Sequence, residues 1–272
     1  MKKQLFFNYY VTHENFNGII NNIHYTCLEY YKHVFDEVFI NISVDNTKDK
    51  HLILMAQNKF LNIFNGEQQK ITFKVVKNDP LIRECAFFYE EIIDKLSERD
   101  IVFFAHNKGL TNLDRGEVDV ESLFHWIIAM YYSSLNFHED AMRSLLAMEN
   151  LMYGSCPTCI NNSYMYYSGA FFWMNCKRIH NYLQLYNVPK FIKSDRCGAE
   201  KFCNYLKINI ERVASPECIY PCIYNRFILH INTEEESDSW YLNGKDFCDT
   251  LGYLTEDFYK LYNKAIKEEY FK

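Results

Sequence analysis

Residues 100–105 read DIVFFA, a run of apolar side chains after a single aspartate. A strand that is apolar on both faces is typical of a parallel sheet, where helices cover both sides. Segments of similar character occur three times earlier in the chain, separated by stretches with helical apolar spacing. They are QLFFNYYV (4–11), DEVFINISV (36–44) and KITFKVV (70–76). Because parallel strands joined by helices form right-handed crossovers, this alternation predicts an α/β fold with a mostly parallel central sheet.

The segments between these strands predict helices over residues 16–33 and 49–64. A third helix is predicted to begin at Asp79 and Pro80, because Asp can cap the first turn and Pro suits the first helical position. The second half of the chain is less regular. Its predicted elements are helices at 119–132, 138–152, 199–206 and 257–272, and a strand or strand pair at 164–174.

The composition is that of an ordinary globular protein. Of 272 residues 49% are hydrophobic, and 29 basic against 35 acidic side chains give a net charge of −6. This balance, without a Lys/Arg cluster, argues against nucleic acid as a partner. Because the sequence has neither an export signal nor an apolar run of membrane-spanning length, we expect a cytoplasmic protein with reduced thiols. Zinc on the cysteine pairs 156/159 and 218/222 is an alternative, although this spacing is loose for a zinc module.

Polar side chains follow each of the four predicted strands. Ligands of open α/β sheets lie beyond the carboxyl ends of the strands, so these residues would meet at one edge. Asp45 can accept hydrogen bonds from a ribose or a base, and Thr12 can contact the edge of a base. The full set is Tyr10 and Thr12, then Asp45, then Asn78, and finally His106, Asn107, Lys108 and Gly109. The cationic or donor groups in the last segment suit a phosphate or diphosphate. The alternative is that polar residues follow buried strands only because the chain surfaces there.

Three segments resemble the sequence boxes of a group of bacterial polysaccharide glycosyltransferases. FFAHNKG (103–109) resembles their HTKG box, YSGAFFWMN (167–175) their SGNFWWA box, and RCGAEKF (196–202) the arginine-to-acidic segment that follows. Order and spacing agree over roughly residues 6–206. The chain departs from the pattern where Asn107 replaces a Thr, Ala170 an Asn and Phe172 a Trp.

The resemblance implies a Rossmann-like GT-A domain over residues 1–206, with a nucleotide-binding half (1–110) and an acceptor half (111–206). Residues 207–272 would form an extension packed on the same domain. Such an enzyme would transfer a sugar from a nucleotide-diphosphate sugar to a glycan or lipid-linked glycan, in capsule or O-antigen synthesis. The non-catalytic alternative is a sugar-nucleotide-binding or scaffolding protein on the same fold.

The resemblance also implies how the diphosphate is neutralised. Common GT-A enzymes carry a metal-binding Asp-x-Asp motif where this chain has His106, Asn107 and Lys108. We therefore expect Lys108, with His106, to stabilise the leaving diphosphate, so that no metal cofactor is required. The acidic run at residues 114–121 leaves Mg²⁺ or Mn²⁺ as an alternative.

The acceptor side is expected in the second half. Its predicted residues are Ser168, Gly169, Trp173, Asp195 and Arg196. The ring of Trp173 either stacks on a sugar or packs in the core. Glu200 is predicted to be the general base, with Asp195 as the alternative. A transfer that inverts the configuration at the anomeric carbon is slightly favoured. The amphipathic segment 257–272 either packs on the domain or makes a peripheral contact with the membrane that carries a lipid-linked acceptor.

Overall fold

The computed structural model has a six-stranded sheet in the order β3-β2-β1-β4-β8-β5 and a three-stranded sheet in the order β7-β6-β9. The residues it describes are 1–64, 69–82, 84–107, 120–146, 151–154, 157–160, 164–167, 170–185, 187, 199, 202–203, 205–206, 229–231 and 256–270. The strands are β1 (Lys3–Tyr10), β2 (Glu37–Val44), β3 (Lys70–Lys77), β4 (Ile101–His106), β5 (Met152–Gly154), β6 (Pro157–Ile160), β7 (Tyr164–Tyr167), β8 (Phe172–Asn175) and β9 (Leu229–Ile231). The helices are α1 (Ile19–Tyr31), α2 (Lys50–Ile63), α3 (Glu84–Glu91), α4 (Val120–Tyr131), α5 (His138–Leu146), α6 (Cys176–Leu185) and α7 (Glu256–Tyr270).

The four predicted amino-terminal strands are confirmed and run parallel to one another. β1 and β4 occupy the centre, and all five residues of β4 from Ile101 to Ala105 are buried. This explains why β4 is continuously apolar up to Ala105 and why β1 is mostly apolar. β3 lies at an edge and carries exposed lysines at both ends. The fold is therefore α/β, with a mixed but mostly parallel sheet that is compatible with a Rossmann-like architecture.

Each face of the large sheet has its own core. Alternate side chains of a strand point to opposite faces, so Phe7 packs with α1 and α2 while Phe6 packs with α3. β8 divides in the same way, with Trp173 in the first core and Phe172 in the second. The C-terminal helix α7 buries Phe258 in the first core, on the side of α1.

The start of the third predicted helix differs from the one observed. The helix predicted to begin at Asp79 begins instead at Glu84. Asp79 and Pro80 belong to a turn, in which the Leu81 N–H donates to the Asp79 carboxylate at 2.9 Å and the Ile82 N–H to its carbonyl at 3.2 Å. Asp79 thus does satisfy a free N–H group, but within a turn rather than in the first turn of α3.

The second half of the chain also departs from its prediction. The helix predicted over 138–152 ends at Leu146, and residues 152–154 form β5. The strand pair predicted over 164–174 divides between two sheets. β7 pairs with β6, whereas β8 runs antiparallel between β4 and β5. Within the described ranges no helix has the length and apolarity needed to cross a membrane.

Candidate functional site

Three of the predicted binding residues meet at the carboxyl edge of the sheet. Asp45 follows β2, Tyr10 ends β1 and Asn78 follows β3. The Tyr10 hydroxyl donates to one carboxylate oxygen of Asp45 at 3.0 Å, and the Asn78 amide donates to the other at 3.2 Å. The carboxylate is exposed, so its remaining lone pairs face solvent. This arrangement presents a fixed anionic acceptor, suited to the hydroxyl groups of a ligand.

Thr12 lies in a loop that is closed by reciprocal hydrogen bonds. Its N–H donates to the Asn15 side-chain oxygen at 2.9 Å, and the Asn15 N–H donates to the Thr12 hydroxyl at 3.2 Å. The amide of Asn21, on α1, donates to the Asn15 carbonyl at 2.8 Å and to its side-chain oxygen at 3.2 Å. The loop after β1 is therefore held in one conformation, with the Thr12 hydroxyl hydrogen still available as a donor.

Asn107 uses its side chain within the protein. Its carboxamide oxygen accepts from the Tyr10 N–H at 3.0 Å, and its amide donates to the Tyr10 carbonyl at 2.7 Å and to the Asn21 side-chain oxygen at 3.0 Å. Both amide hydrogens are thus engaged. Asn107, predicted to contact the nucleotide, thus organises the edge and has no amide hydrogen left for a ligand.

A polar row crosses the sheet beside this edge. His106, Asn8, Asn41 and Lys74 are cross-strand neighbours on four adjacent strands, on the face of the second core. The Asn41 amide donates to the Asn8 side-chain oxygen at 2.6 Å, and both residues are buried. Lys74 is paired with Glu90 and Glu91 at 2.9 Å each, so its charge is already neutralised. The predicted catalytic residue His106 is half-buried at the end of this row.

The helix that follows Asp45 begins with a cap at the same edge. The Leu52 N–H donates to the Asp49 carboxylate at 3.1 Å, and His13 contacts its other oxygen at 2.7 Å. These two interactions, the backbone one first, lower the pKa of Asp49. The carboxylate therefore stays ionised and stabilises the start of α2.

Of the two positions predicted for Trp173, the structure has the core one, which excludes stacking of its ring on a sugar. Its side chain is fully buried, and its indole N–H donates to the Ser134 carbonyl at 2.8 Å. The ring packs against Phe103 and Phe35, with centroid separations of 5.0 and 5.8 Å. The indole has no surface left to offer a ligand.

The other predicted site residues lie outside the described residues. They are Lys108 and Gly109 of the first box, and Ser168, Gly169, Asp195, Arg196 and Glu200 of the acceptor half. The acidic run at 114–119 lies outside them as well, as does every cysteine of the zinc alternative except Cys159, on β6. Among the described residues, no group of three or more His, Cys, Asp and Glu is arranged to hold a metal ion.

Sequence reasoning missed the asparagines that organise the edge. Asn8, Asn15, Asn21 and Asn41 carry it together with Asn107. The segment VTHENFNGIINN (11–22) is unusually rich in asparagine, and this was the one available signal. Which strands adjoin, and hence which asparagines meet, is a property of the fold.

Comparison of the chain with protein-family models, with curated proteins and with solved structures gave no match. The fold and the site therefore define a class only: an α/β protein with an organised polar edge at the carboxyl ends of its parallel strands.

Proposed function

We propose that the protein is a glycosyltransferase of GT-A type, which transfers a sugar from a nucleotide-diphosphate sugar to a glycan or lipid-linked glycan acceptor in capsule or O-antigen synthesis. The observation that carries this proposal is the contact of Asp45 with Tyr10 and Asn78 at the carboxyl edge. An acidic residue at the end of the second strand of a nucleotide-binding sheet is placed to accept hydrogen bonds from ribose hydroxyls. The sheet order supports the same class, because parallel strands β3-β2-β1-β4 continue into an antiparallel strand.

The donor would bind along this edge. Asp45 accepts hydrogen bonds from the ribose, and the Thr12 hydroxyl donates to the edge of the base. Lys108 and His106 follow in sequence at the end of β4, next to the central strand, where they neutralise the diphosphate. Because Asn107 is held by Tyr10, the start of this cationic segment is fixed relative to the ribose-binding carboxylate.

In the proposed reaction the acceptor hydroxyl oxygen bonds to the anomeric carbon of the donor sugar. The bond from that carbon to the diphosphate oxygen breaks, and the diphosphate leaves with the electron pair. Glu200 takes the proton of the acceptor hydroxyl, with Asp195 as the rival base. Lys108 stabilises the charge that develops on the leaving group, so this mechanism requires no metal ion. Ser168, Gly169 and Arg196 belong to the proposed acceptor side.

The first experiment is a thermal-shift screen against UDP-, GDP- and dTDP-sugars, with CMP-sugars, which carry one phosphate instead of two, as the negative comparison. A ligand that binds only the folded protein raises its melting temperature, so one nucleotide class should stand out. The same donor is then assayed for hydrolysis, with release of the nucleoside diphosphate as the readout. Donor binding without release favours the non-catalytic sugar-nucleotide-binding protein, and binding of none of these donors contradicts the proposal.

The second experiment tests the cation. Lys108→Ala should lower turnover about 10²- to 10³-fold, the usual effect of removing one preorganised electrostatic contact. Lys177→Ala is the matched control, because Lys177 is paired with Asp100 at the opposite end of β4. Unchanged turnover in Lys108→Ala would remove Lys108 from the mechanism. Activity that persists in EDTA agrees with the metal-free mechanism, whereas strict Mn²⁺ dependence contradicts it.

A further inference from the structure

We propose that Asn107 is a positioning residue that couples two groups of residues in the candidate site. The Asp45 arm consists of Tyr10 and Asp45, and the Thr12 arm consists of Asn21, Asn15 and Thr12. For the identity of the ligand this inference rests on the proposed function. The coupling itself rests on hydrogen bonds among described residues.

The carboxamide of Asn107 continues the sheet where the backbone of β4 ends. The Asn107 N–H still donates to the Asn8 carbonyl at 3.1 Å, as a residue of the parallel ladder would. Beyond that point the side chain replaces the backbone, accepting from the Tyr10 N–H and donating to the Tyr10 carbonyl. Asn107 is only 5% exposed, so water does not readily substitute for these bonds.

The first arm runs through Tyr10. Asn107 holds both backbone polar groups of Tyr10, and the hydroxyl of Tyr10 donates to Asp45 at 3.0 Å. A shift of the Tyr10 backbone would therefore move the hydroxyl that orients the carboxylate. Because the Tyr10 side chain is stiff and has few rotatable bonds, its hydroxyl would move by about as much as its backbone, and the hydrogen bond to Asp45 would change with it.

The second arm runs through Asn21. The second amide hydrogen of Asn107 is donated to the Asn21 side-chain oxygen at 3.0 Å, which leaves the Asn21 amide aimed at Asn15. Asn15 in turn closes the loop around Thr12. Asn21 is fully buried, so loss of its hydrogen bond to Asn107 would leave a buried polar group without a partner, which is costly. One carboxamide thus fixes both arms against the same strand end.

The test compares Asn107→Ala with Asn175→Ala. Asn175 is an appropriate control because it is 3% exposed, donates to the Leu145 carbonyl at 3.2 Å and accepts from the Arg178 N–H at 3.1 Å. It pairs with Ile101, at the opposite end of β4 from the site. Both variants lose buried hydrogen bonds, so both should melt at a lower temperature than the wild type. Only Asn107→Ala should disturb the site.

The first readout is amide hydrogen exchange on the full chain without ligand. In Asn107→Ala the amides of Thr12 and Asn15 should exchange at least about tenfold faster, measured against the core amide of Phe7 in the same sample. In Asn175→Ala this ratio should be unchanged. An unchanged ratio in Asn107→Ala overturns the proposal whether or not the protein binds nucleotides. Should Asn107→Ala fail to fold, the isosteric Asn107→Asp removes the same two N–H donors and is expected to give the same result.

The second readout is the dissociation constant of the nucleoside diphosphate identified by the thermal-shift screen. Asn107→Ala should bind it about 10- to 100-fold more weakly, because misplacing binding groups by about 1 Å has effects of this size. Asn175→Ala should bind within twofold of the wild type. Faster exchange with unaltered affinity contradicts the link from Asn107 to the ligand. Failure of the wild type to bind any nucleotide contradicts the proposed function, and the exchange result still decides the coupling.

Discussion

Replacing Asp45 by alanine tests the ribose-binding role of the carboxylate. The substitution removes an exposed side chain whose described partners are the Tyr10 hydroxyl and the Asn78 amide. Hydrogen bonds to a solvent-exposed carboxylate contribute little to folding, so the free energy of unfolding should fall by about 1 kcal/mol or less. A hydrogen bond from a bound hydroxyl to an ionised group contributes about 1.5–3 kcal/mol. Asp45→Ala should therefore raise the dissociation constant of the nucleotide by about 10- to 150-fold.

Isothermal titration calorimetry with the nucleoside diphosphate from the screen measures this change. Asp49→Ala is the matched control, because Asp49 lies four positions further along the chain and caps α2. It should melt at a lower temperature than the wild type, because the cap of α2 is lost, and keep its affinity within about twofold. A nucleotide that lacks both ribose hydroxyls should bind the wild type as weakly as the intact nucleotide binds Asp45→Ala, and Asp45→Ala should not weaken it further. Binding of the intact nucleotide by Asp45→Ala as tightly as by the wild type would rule out the ribose-binding role of Asp45.

Three further predictions concern the core, the buried tyrosines and the proposed base. Trp173→Ala should lower the free energy of unfolding by about 3–5 kcal/mol in a denaturant titration; a loss below about 1 kcal/mol would contradict its core position. Burial raises the pKa of Tyr9, Tyr31 and Tyr131 above the ordinary value of 10. The contribution of these three tyrosines to stability should therefore be constant below pH 10 and fall above it by about 1.4 kcal/mol per pH unit for each, because the unfolded state ionises first; tyrosinate absorbance followed through alkaline unfolding checks this. Glu200→Gln should abolish transfer in the donor–acceptor assay while Asp195→Asn retains it, and the reverse pattern would transfer the role of base to Asp195.

The first half of the fold could be predicted because its signals are local. β1, β2, β3 and β4 begin and end within about two residues of their predicted limits, because the strands are mostly apolar and helices with a different period separate them. The start of α3 was missed because a cap followed by proline also fits a turn. The division of residues 164–174 between two sheets depends on distant partners, which local patterns do not encode.

The candidate site, too, could be predicted where its signals are local and not where it depends on distant partners. The expectation that residues at the carboxyl ends of parallel strands meet at one edge was met by Tyr10, Asp45 and Asn78. The role of Asn107 could not be read from the sequence, because its partners lie on β1 and α1, 86 or more positions away. For Trp173 the sequence left stacking and core packing open, and the register of β8 against β4 places its ring in the core.

The most direct test of the account is a nuclear magnetic resonance titration of the labelled protein with the nucleoside diphosphate selected by the screen. Amide shifts of the residues that follow β1, β2, β3 and β4 should change most, including those of Thr12, Asp45, Asn78 and Lys108. The chemical shifts of amides near Asp36 and Asp100, at the amino ends of β2 and β4, should not change. Changes concentrated at those amino ends, or no change at saturating nucleotide, would contradict a nucleotide site at the carboxyl edge of the sheet.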